Sequence, residues 1–400
     1  MIVNADLHIH SKYSKGTSKF MNLENILKYG KLKGLNIIGT GDCFCNEYLK
    51  EIKEYNNKTD DNLILTTEIE DKNRIHHLII LPTISKIEEL KEKFRKYSNT
   101  INSEGRPKIY LTGEEILEIV KECEGLIGPA HAFTPYTSLY KTYNSIYNCY
   151  GKKPDFLELG LSANTKMANL KELENIPFLT NSDAHSYYPH RLGREFTQLE
   201  INNLGNFENN FNEIKKALKN NKIIANYGIP PSLGKYYLTA CSKCYLKYKI
   251  EDAIKLKYKC AKCSGTIKKG VFDRCNELQL INKNNTFNIV DKKPPYYEII
   301  PLAQIISLAI KKGINTKGVN DLWDKYIEKY NNEINILINI NINNLKEINE
   351  NVSHIIYLFR TNKIYISPGG GGQYGKISIK KPTINWYSPT TTLDNWVKKE

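Results

Sequence analysis

No stretch of this 400-residue chain approaches the roughly 20 consecutive apolar residues that a membrane span needs. Its first residues also lack the basic-then-apolar pattern of a secretory leader. The two absences set the expectation of a soluble, cytoplasmic protein. A disulfide framework is missing as well. The nine cysteines are an odd number: Cys43, Cys45, Cys123, Cys149 and Cys275 are scattered, and the rest form two C-x-x-C pairs. That usage fits a reducing compartment and one metal site. Acidic side chains are in deficit, 43 Asp+Glu against 57 Lys+Arg, which leaves a formal charge of +14. Such an excess favours a polyanionic partner, because clustered Lys and Arg release counterions from phosphates. Part of it follows simply from a composition rich in Lys, Ile and Asn.

The length exceeds what one compact core usually covers, so two or three domains are expected. From residue 1 to about 228, β-rich runs alternate with helical stretches. The predicted strands are Ile2 to His10, Leu35 to Asp42, Leu63 to Glu70, His77 to Leu81, Leu126 to His131, Phe156 to Leu161, Phe178 to His185 and Ile223 to Tyr227. Thr112 and Glu115 form a capping box before an apolar helical stretch that Gly125 stops. Repeated βα units imply a parallel sheet, open or closed into a barrel. Pro230 and Pro231 mark a linker, a cysteine-bearing module follows, and the remainder reads as mainly helical. The alternation in N-I-L-I-N-I-N-I-N-N-L (335–345) suits a strand while its neighbours suit helices; helix is the preferred reading.

The chemistry lies at the strand ends. In A-D-L-H-I-H-S the histidines His8 and His10, two apart, project to one face of a strand. Other apolar runs finish the same way: on Asp42, on Glu68, at the His76-His77 pair, on His131, and on Asp183 and His185. In parallel α/β architectures such ends converge on one rim, where active sites are built. Each residue alone could be a satisfied polar group; together they read as one metal site. The set exceeds the three or four ligands of a single zinc, so two or three divalent metals are expected, with Glu68 as bridging carboxylate. Imidazole-rich ligation suits Zn, Mn or Fe better than a site for Mg alone. Clustered divalent ions are the usual machinery for cleaving phosphate esters.

The blocks D-L-H-I-H-S, T-G-D, T-E-I-E, H-H-L-I-I-L-P, G-P-A-H and N-S-D-A-H resemble the PHP (polymerase and histidinol phosphatase) superfamily. The resemblance implies an α/β fold: a distorted (βα)7 PHP barrel with a trinuclear metal centre, here followed by a four-cysteine zinc-binding module and a mainly helical C-terminal domain. The superfamily usually reads T-D-H after its second strand, where this chain has T-G-D with Asp42. The metal ligands implied are His8, His10, Asp42, Glu68, His77, His131, Asp183 and His185, with Glu68, His131, Asp183 and His185 carrying catalysis. His77 is preferred over His76 because H-L-I-I-L-P matches the superfamily's H-L-x-L-L. Longer blocks, G-P-A-H-A-F-T-P-Y-T-S-L-Y-K (128–141), L-E-L-G-L-S-A-N-T (157–165), N-S-D-A-H-S-Y-Y-P-H-R-L-G-R-E-F (181–196) and P-G-G-G-G-Q-Y-G (368–375), resemble the archaeal endonuclease Q family. That resemblance implies a nuclease that cuts DNA 5′ of deaminated bases (uracil, hypoxanthine, xanthine) or abasic sites. The expected division is 1–232 catalytic, 233–276 zinc-binding and 277–400 mainly helical.

Cys241-x-x-Cys244 and Cys260-x-x-Cys263 have zinc-ribbon spacing, and four thiolates close a tetrahedral structural site. The lysines and tyrosines of this module could grip phosphates and stack bases, or form a solvated surface. Phe133, Tyr136, Tyr140, Arg191 and Arg194 lie on loops after ligand-bearing strands. They are candidates for handling an extruded base, with holding the loops down as the equal alternative. The glycine run could let amides approach a phosphate or could turn between two strands. Leu393 and Trp396 in T-T-T-L-D-N-W-V-K-K match part of a sliding-clamp binding peptide. Two rivals remain: a small-molecule phosphoesterase of the histidinol-phosphatase type, and a non-catalytic DNA-binding protein. The first leaves the cysteine module and basic charge unexplained; the second predicts missing ligands.

Overall fold

The computed structural model describes residues 1–56, 62–282 and 289–388. Its framework is an eight-stranded sheet built from β1 (Ile2–Asp6), β2 (Ile37–Gly39), β3 (Leu63–Glu70), β4 (His76–Leu81), β5 (Leu126–Pro129), β8 (Phe196–Glu200), β9 (Ile223–Gly228) and β12 (Tyr296–Glu298). Their order across the sheet is β12-β9-β8-β1-β2-β3-β4-β5. A parallel pair, β6 (Leu157–Glu158) and β7 (Phe178–Leu179), stands beside it. Backbone bonds carry the curl onward: Asp155 donates to Ile127 and Ala132 to Glu158, joining β6 to β5. Asp183 donates to the carbonyl of His8 and His10 to that of Ala184, at 2.9 and 3.0 Å, returning the ring to β1. This is the barrel expected, and β3 has the expected bounds of Leu63–Glu70.

The sheet is not parallel throughout. β1, β2 and β3 are parallel, whereas β4 runs antiparallel to both β3 and β5. The physical reason is the β3–β4 connection, residues 71–75, which is far too short for a parallel crossover. It closes as a tight turn in which the Asp71 carboxylate accepts from the amides of Asn73 and Ile75, both at 2.8 Å. β8, whose polar sequence F-T-Q-L-E gave no strand signal, pairs with β1 along Ile2–Ala5 and with β9 on its other side. One edge of β1 is thus divided, its first half taken by β8 and its extension by the 183–184 segment.

The cysteine module is built on β10 (Ala240–Cys241) and β11 (Ile267–Lys268). The proline stretch expected to be a linker is itself packed: Pro231 and Leu233 are buried, and the carbonyls of Ser232 and Leu233 accept from Gly369 and Gly375. Beyond it, helices Leu302–Ile310, Lys317–Tyr330, Glu333–Ile338, Ile342–Lys346 and Glu350–Arg360 bury Trp323, Tyr326, Ile336 and Ile356. The ambiguous alternating stretch is helical, as preferred. Asn341 within it and Asn332 just before it accept from the amides of Asn343 and Asn335, each capping a short helix. This helical region is tied to the barrel by a buried ion pair, Lys33 Nζ to Glu333 Oε1 at 2.5 Å. Lys33 also donates to the carbonyl of Pro189, and Trp323 Nε1 to Glu333.

Candidate metal centre

The ends of β1, β2, β3, β5 and β7 face one rim, and β4, running backwards, begins there. Glu68 on β3 is fully buried and lies at the middle of what gathers at this rim. His76 Nδ1 is 2.8 Å from Glu68 Oε1, His131 Nε2 2.9 Å from the same oxygen, and His8 Nε2 3.5 Å from it. His10 Nε2 is 3.4 Å from Glu68 Oε2 and 3.2 Å from Asp183 Oδ1. The His185 ring lies 4.4 Å from that of His10. Seven side chains from five strands or their extensions therefore share one pocket, with overlapping sets that could each hold an ion: His8, His10 and Glu68; His10, Asp183 and His185; Glu68, His76 and His131.

Backbone strain marks the same residues. Asp42, His131 and Asp183, each just past a strand, have φ of 46°, 31° and 46°, a region that non-glycine residues rarely adopt. Gly160, also at positive φ, permits the β6 loop to touch His131; a Cβ there would sit 2.6 Å from the histidine's own.

The polar atoms fit a cation site. His8 Nε2, His10 Nε2 and Asp183 Oδ1 are buried without a hydrogen-bond partner among the described residues, an expensive arrangement for a protein unless something binds there. The opposite nitrogens are held: His8 Nδ1 by Glu158 Oε2 at 2.8 Å and His10 Nδ1 by Asp42 Oδ1 at 3.0 Å. Carboxylates behind ligating imidazoles fix ring orientation in this way. Burial pushes Asp183 and Glu68 up, yet the histidines around them win and hold both carboxyls below their usual range. For His8, burial acts downward, but Glu158 and Glu68 raise it to about 9. A folded value above the ordinary 6.5 means stability that is complete below pH 6.5 and lost as pH rises through 9. Chelator-treated protein is accordingly expected to melt at a lower temperature at pH 9 than at pH 6.5, a comparison that calorimetry makes directly.

A family model described as the MJ0043 C-terminal domain matches residues 301–363. Over the full length of both chains the sequence is 31% identical to protein MJ0043 of Methanocaldococcus jannaschii. It is 32% identical to protein YqxK of Bacillus subtilis, over 94% of this chain and 99% of that one. Among solved structures it is similar to a lesion-specific endonuclease, PfuEndoQ of Pyrococcus furiosus, with 46% identity, 99% of each chain covered and a TM-score of 0.88. It is equally similar to an endonuclease Q in complex with a 27-mer duplex that has an abasic lesion at the active site: 47% identity, 98% of this chain and 99% of that one covered, TM-score 0.88. This chain belongs to the endonuclease Q family. Its enzyme class is therefore that of an endonuclease.

Within this endonuclease Q fold two expected ligands stand elsewhere. In the β3–β4 hairpin Glu70 lies opposite His76, Ile69 opposite His77 and Glu68 opposite Leu78. Paired residues share a face, so His76 stands on the Glu68 side and His77 on the other. His77 meets Tyr150 Oη at 2.7 Å and Asp71 Oδ2 at 3.4 Å, a buried network outside the rim. Asp42 is one step back: besides His10, its oxygens accept from the amide and hydroxyl of Ser11 at 2.6 and 2.7 Å and from Ser14. It positions His10 rather than facing the shared pocket. Glu158 and Arg106 were not foreseen. Glu158 ends the short strand in L-E-L-G, the same kind of signal as Glu68, whereas Arg106 sits on a loop with no pattern to find.

Of the loop residues, Phe133 and Tyr140 are buried and stacked at 4.7 Å, with Tyr140 Oη on Glu172, so they hold the loop down. Tyr136, half exposed, lines a cleft of about 440 Å³ with Arg191, Arg194, Gln304, Lys235 and Tyr374. The glycine run turns between β13 (Tyr365–Ser367) and β14 (Lys376–Ser378). Three of its four glycine amides are engaged, Gly369 donating to Ser232, Gly370 to Gln373 and Gly372 to Lys235, which favours the turn over phosphate binding.

Cys241, Cys244, Cys260 and Cys263 converge, with Sγ separations of 3.5 Å (241–263) and 3.6 Å (244–260). Zn–S bonds of about 2.3 Å in a tetrahedron put sulfurs roughly 3.8 Å apart, so the donor set fits one zinc. Tyr248 packs beneath it, buried, with Oη 3.1 Å from Cys260 Sγ. Cys244→Ser is expected to remove about one equivalent of zinc, measured by mass spectrometry, and to expose residues 240–268 to protease while the barrel stays folded. The peptide with Leu393 and Trp396 lies outside the described residues. No described helix is long and apolar enough to cross a membrane.

Proposed function

We propose that this chain is a metal-dependent DNA repair endonuclease that cuts the phosphodiester 5′ of deaminated bases (uracil, hypoxanthine, xanthine) and of abasic sites. The observation that carries the reading is the set of unpartnered buried donors around Glu68, beside an arginine-lined cleft, in a chain 47% identical to an endonuclease Q with an abasic lesion at its active site.

In this reading His8, His10, Glu68, His76, His131, Asp183 and His185 hold two or three divalent ions, and the four cysteines one structural zinc. Such ions, when bound, lower the pKa of a coordinated water and stabilise charge on the phosphoryl group. The chain's own residues do the rest. Glu158 and Asp42 fix the His8 and His10 rings with Nε2 inward, so the ligand geometry exists before substrate arrives. Asp6 accepts from the amides of Ser182 and Gly193, anchoring both ends of the loop that carries Asp183, His185 and Arg191. His185, a third exposed, is the member of the cluster that meets substrate. Arg191, Arg194 and Tyr136 bind the backbone and receive the extruded nucleotide, whose unstacking costs a few kcal/mol. Uracil and hypoxanthine share a carbonyl oxygen where cytosine and adenine have an amino group, so N–H donors in the cleft would discriminate. The parts 1–232, 233–276 and 277–400 act as catalytic, zinc-binding and helical units, and Leu393 with Trp396 would dock a sliding clamp.

The test uses labelled duplexes carrying one uracil, one hypoxanthine, one abasic site or no lesion, with Mg²⁺ or Mn²⁺ and with EDTA, and maps products to the nucleotide. A lesion-dependent, EDTA-sensitive cut immediately 5′ of the lesion is expected. Intact duplexes alongside robust hydrolysis of a small phosphate monoester would overturn the reading in favour of a phosphoesterase.

A further inference from the structure

Arg106 enters the metal centre from a loop, and nothing in its surroundings uses more than one of its hydrogen-bond donors. Nη1 donates to Glu68 Oε2 at 3.0 Å. No other hydrogen bond of the guanidinium is formed with the described residues, and the side chain is 26% exposed while Glu68 is sealed. The loop that delivers it is fixed at both ends. Gly105 donates to the carbonyl of Tyr13, Glu70 to that of Pro107, and Ile109 to that of Glu70. Gly105 lies so close to the site that a Cβ would sit 2.6 Å from the Asp42 carboxylate and 2.7 Å from Ser14 Oγ. The G-R-P sequence thus presses the backbone onto the cluster and aims a permanently charged, planar fork at its open side.

An arginine that served only as counter-ion to Glu68 would be expected to be buried and fully bonded. A cation also makes little electrostatic sense beside residues that gather divalent ions, unless an anion joins them. Arginine's parallel N–H donors match phosphoryl oxygens. We propose that Arg106 is a catalytic residue that binds the non-bridging oxygens of the scissile phosphodiester. The inference rests on the endonuclease reading above. As water oxygen bonds to phosphorus, the bond to the 3′-oxygen breaks and a proton passes to that oxygen; the guanidinium transfers nothing and donates hydrogen bonds to oxygens whose charge grows.

The test compares wild type, Arg106→Ala and Arg106→Lys in single-turnover cleavage of the abasic duplex and in hydrolysis of bis(4-nitrophenyl) phosphate, with metal content measured in each. Arg106→Ala is expected to be about 100-fold slower on both substrates. Its metal content should be unchanged and its duplex affinity reduced far less than its rate, and millimolar guanidinium should restore part of the lost rate while Arg106→Lys remains slow. Rates for Arg106→Ala within about threefold of wild type, or a loss that follows a loss of metal, would overturn the proposal. If wild type leaves the duplex intact but hydrolyses the diester, and guanidinium rescues the slow Arg106→Ala variant, Arg106 keeps its role and the lesion reading falls.

Discussion

Asp183→Ala is expected to slow cleavage of the abasic duplex by at least about 1,000-fold, roughly 4 kcal/mol of transition-state stabilisation. Asp183 Oδ1 is buried, has no hydrogen-bond partner among the described residues and faces both His8 and His10, at 3.8 and 3.2 Å. Removing it leaves two imidazoles around a gap and takes away an anionic donor from the set. The fold should survive, because the backbone bond from Asp183 to His8 that closes the barrel does not involve the side chain. Metal content measured beside thermal melting separates the effects. A variant that keeps cleavage within about tenfold of wild type would remove Asp183 from the centre.

The adjacent histidines should behave in opposite ways. His76→Ala is expected to cost about 100-fold in cleavage with little effect on stability, since it takes a donor from Glu68 at the rim. His77→Ala should leave cleavage within about threefold but destabilise the chain by about 3 kcal/mol, because Asp71 and the Tyr150 hydroxyl lose a buried partner. Urea unfolding and single-turnover rates on both variants decide the matter. An inactive His77→Ala beside an active His76→Ala would mean that the hairpin register is shifted by one residue.

That pair shows how far the sequence could be read. Residues two apart on one strand, such as His8 and His10, share a face whatever their neighbours, so period-two reasoning placed them correctly. Which of His76 and His77 points inward depends on register against β3, a property of two strands and a five-residue turn. A motif match on one strand could not supply it. Asp42 does sit at the centre, but which way its carboxylate turns is set by Ser11 and Ser14, which bond it from the next loop, and not by its place at a strand end. Glu158 was legible in principle, since it ends an apolar run as Glu68 does, yet β6 has only two residues and offers little pattern. Arg106 has no periodicity to betray it. The (βα) alternation gave the barrel, while the reversed β4 and the polar β8 arise from a short connection and from pairing at both edges.

The bond from Lys33 to Glu333 has a consequence for how the chain could be divided. Lys33 also holds the carbonyl of Pro189, in the loop between His185 and Arg191, and Glu333 receives Trp323 from the helical region. Pro301, Gln304, Ile314 and Asn315 of that region form one wall of the cleft. A chain ending at Ile300, past β11 and β12, would keep every donor around Glu68 and still lose a wall and a splint. It should bind its ions, hydrolyse a small diester, and no longer distinguish a damaged nucleotide from a sound one. The choice of where to cut would then draw on both ends of the polypeptide, the barrel's Tyr136, Arg191 and Arg194 and a wall supplied from beyond residue 300.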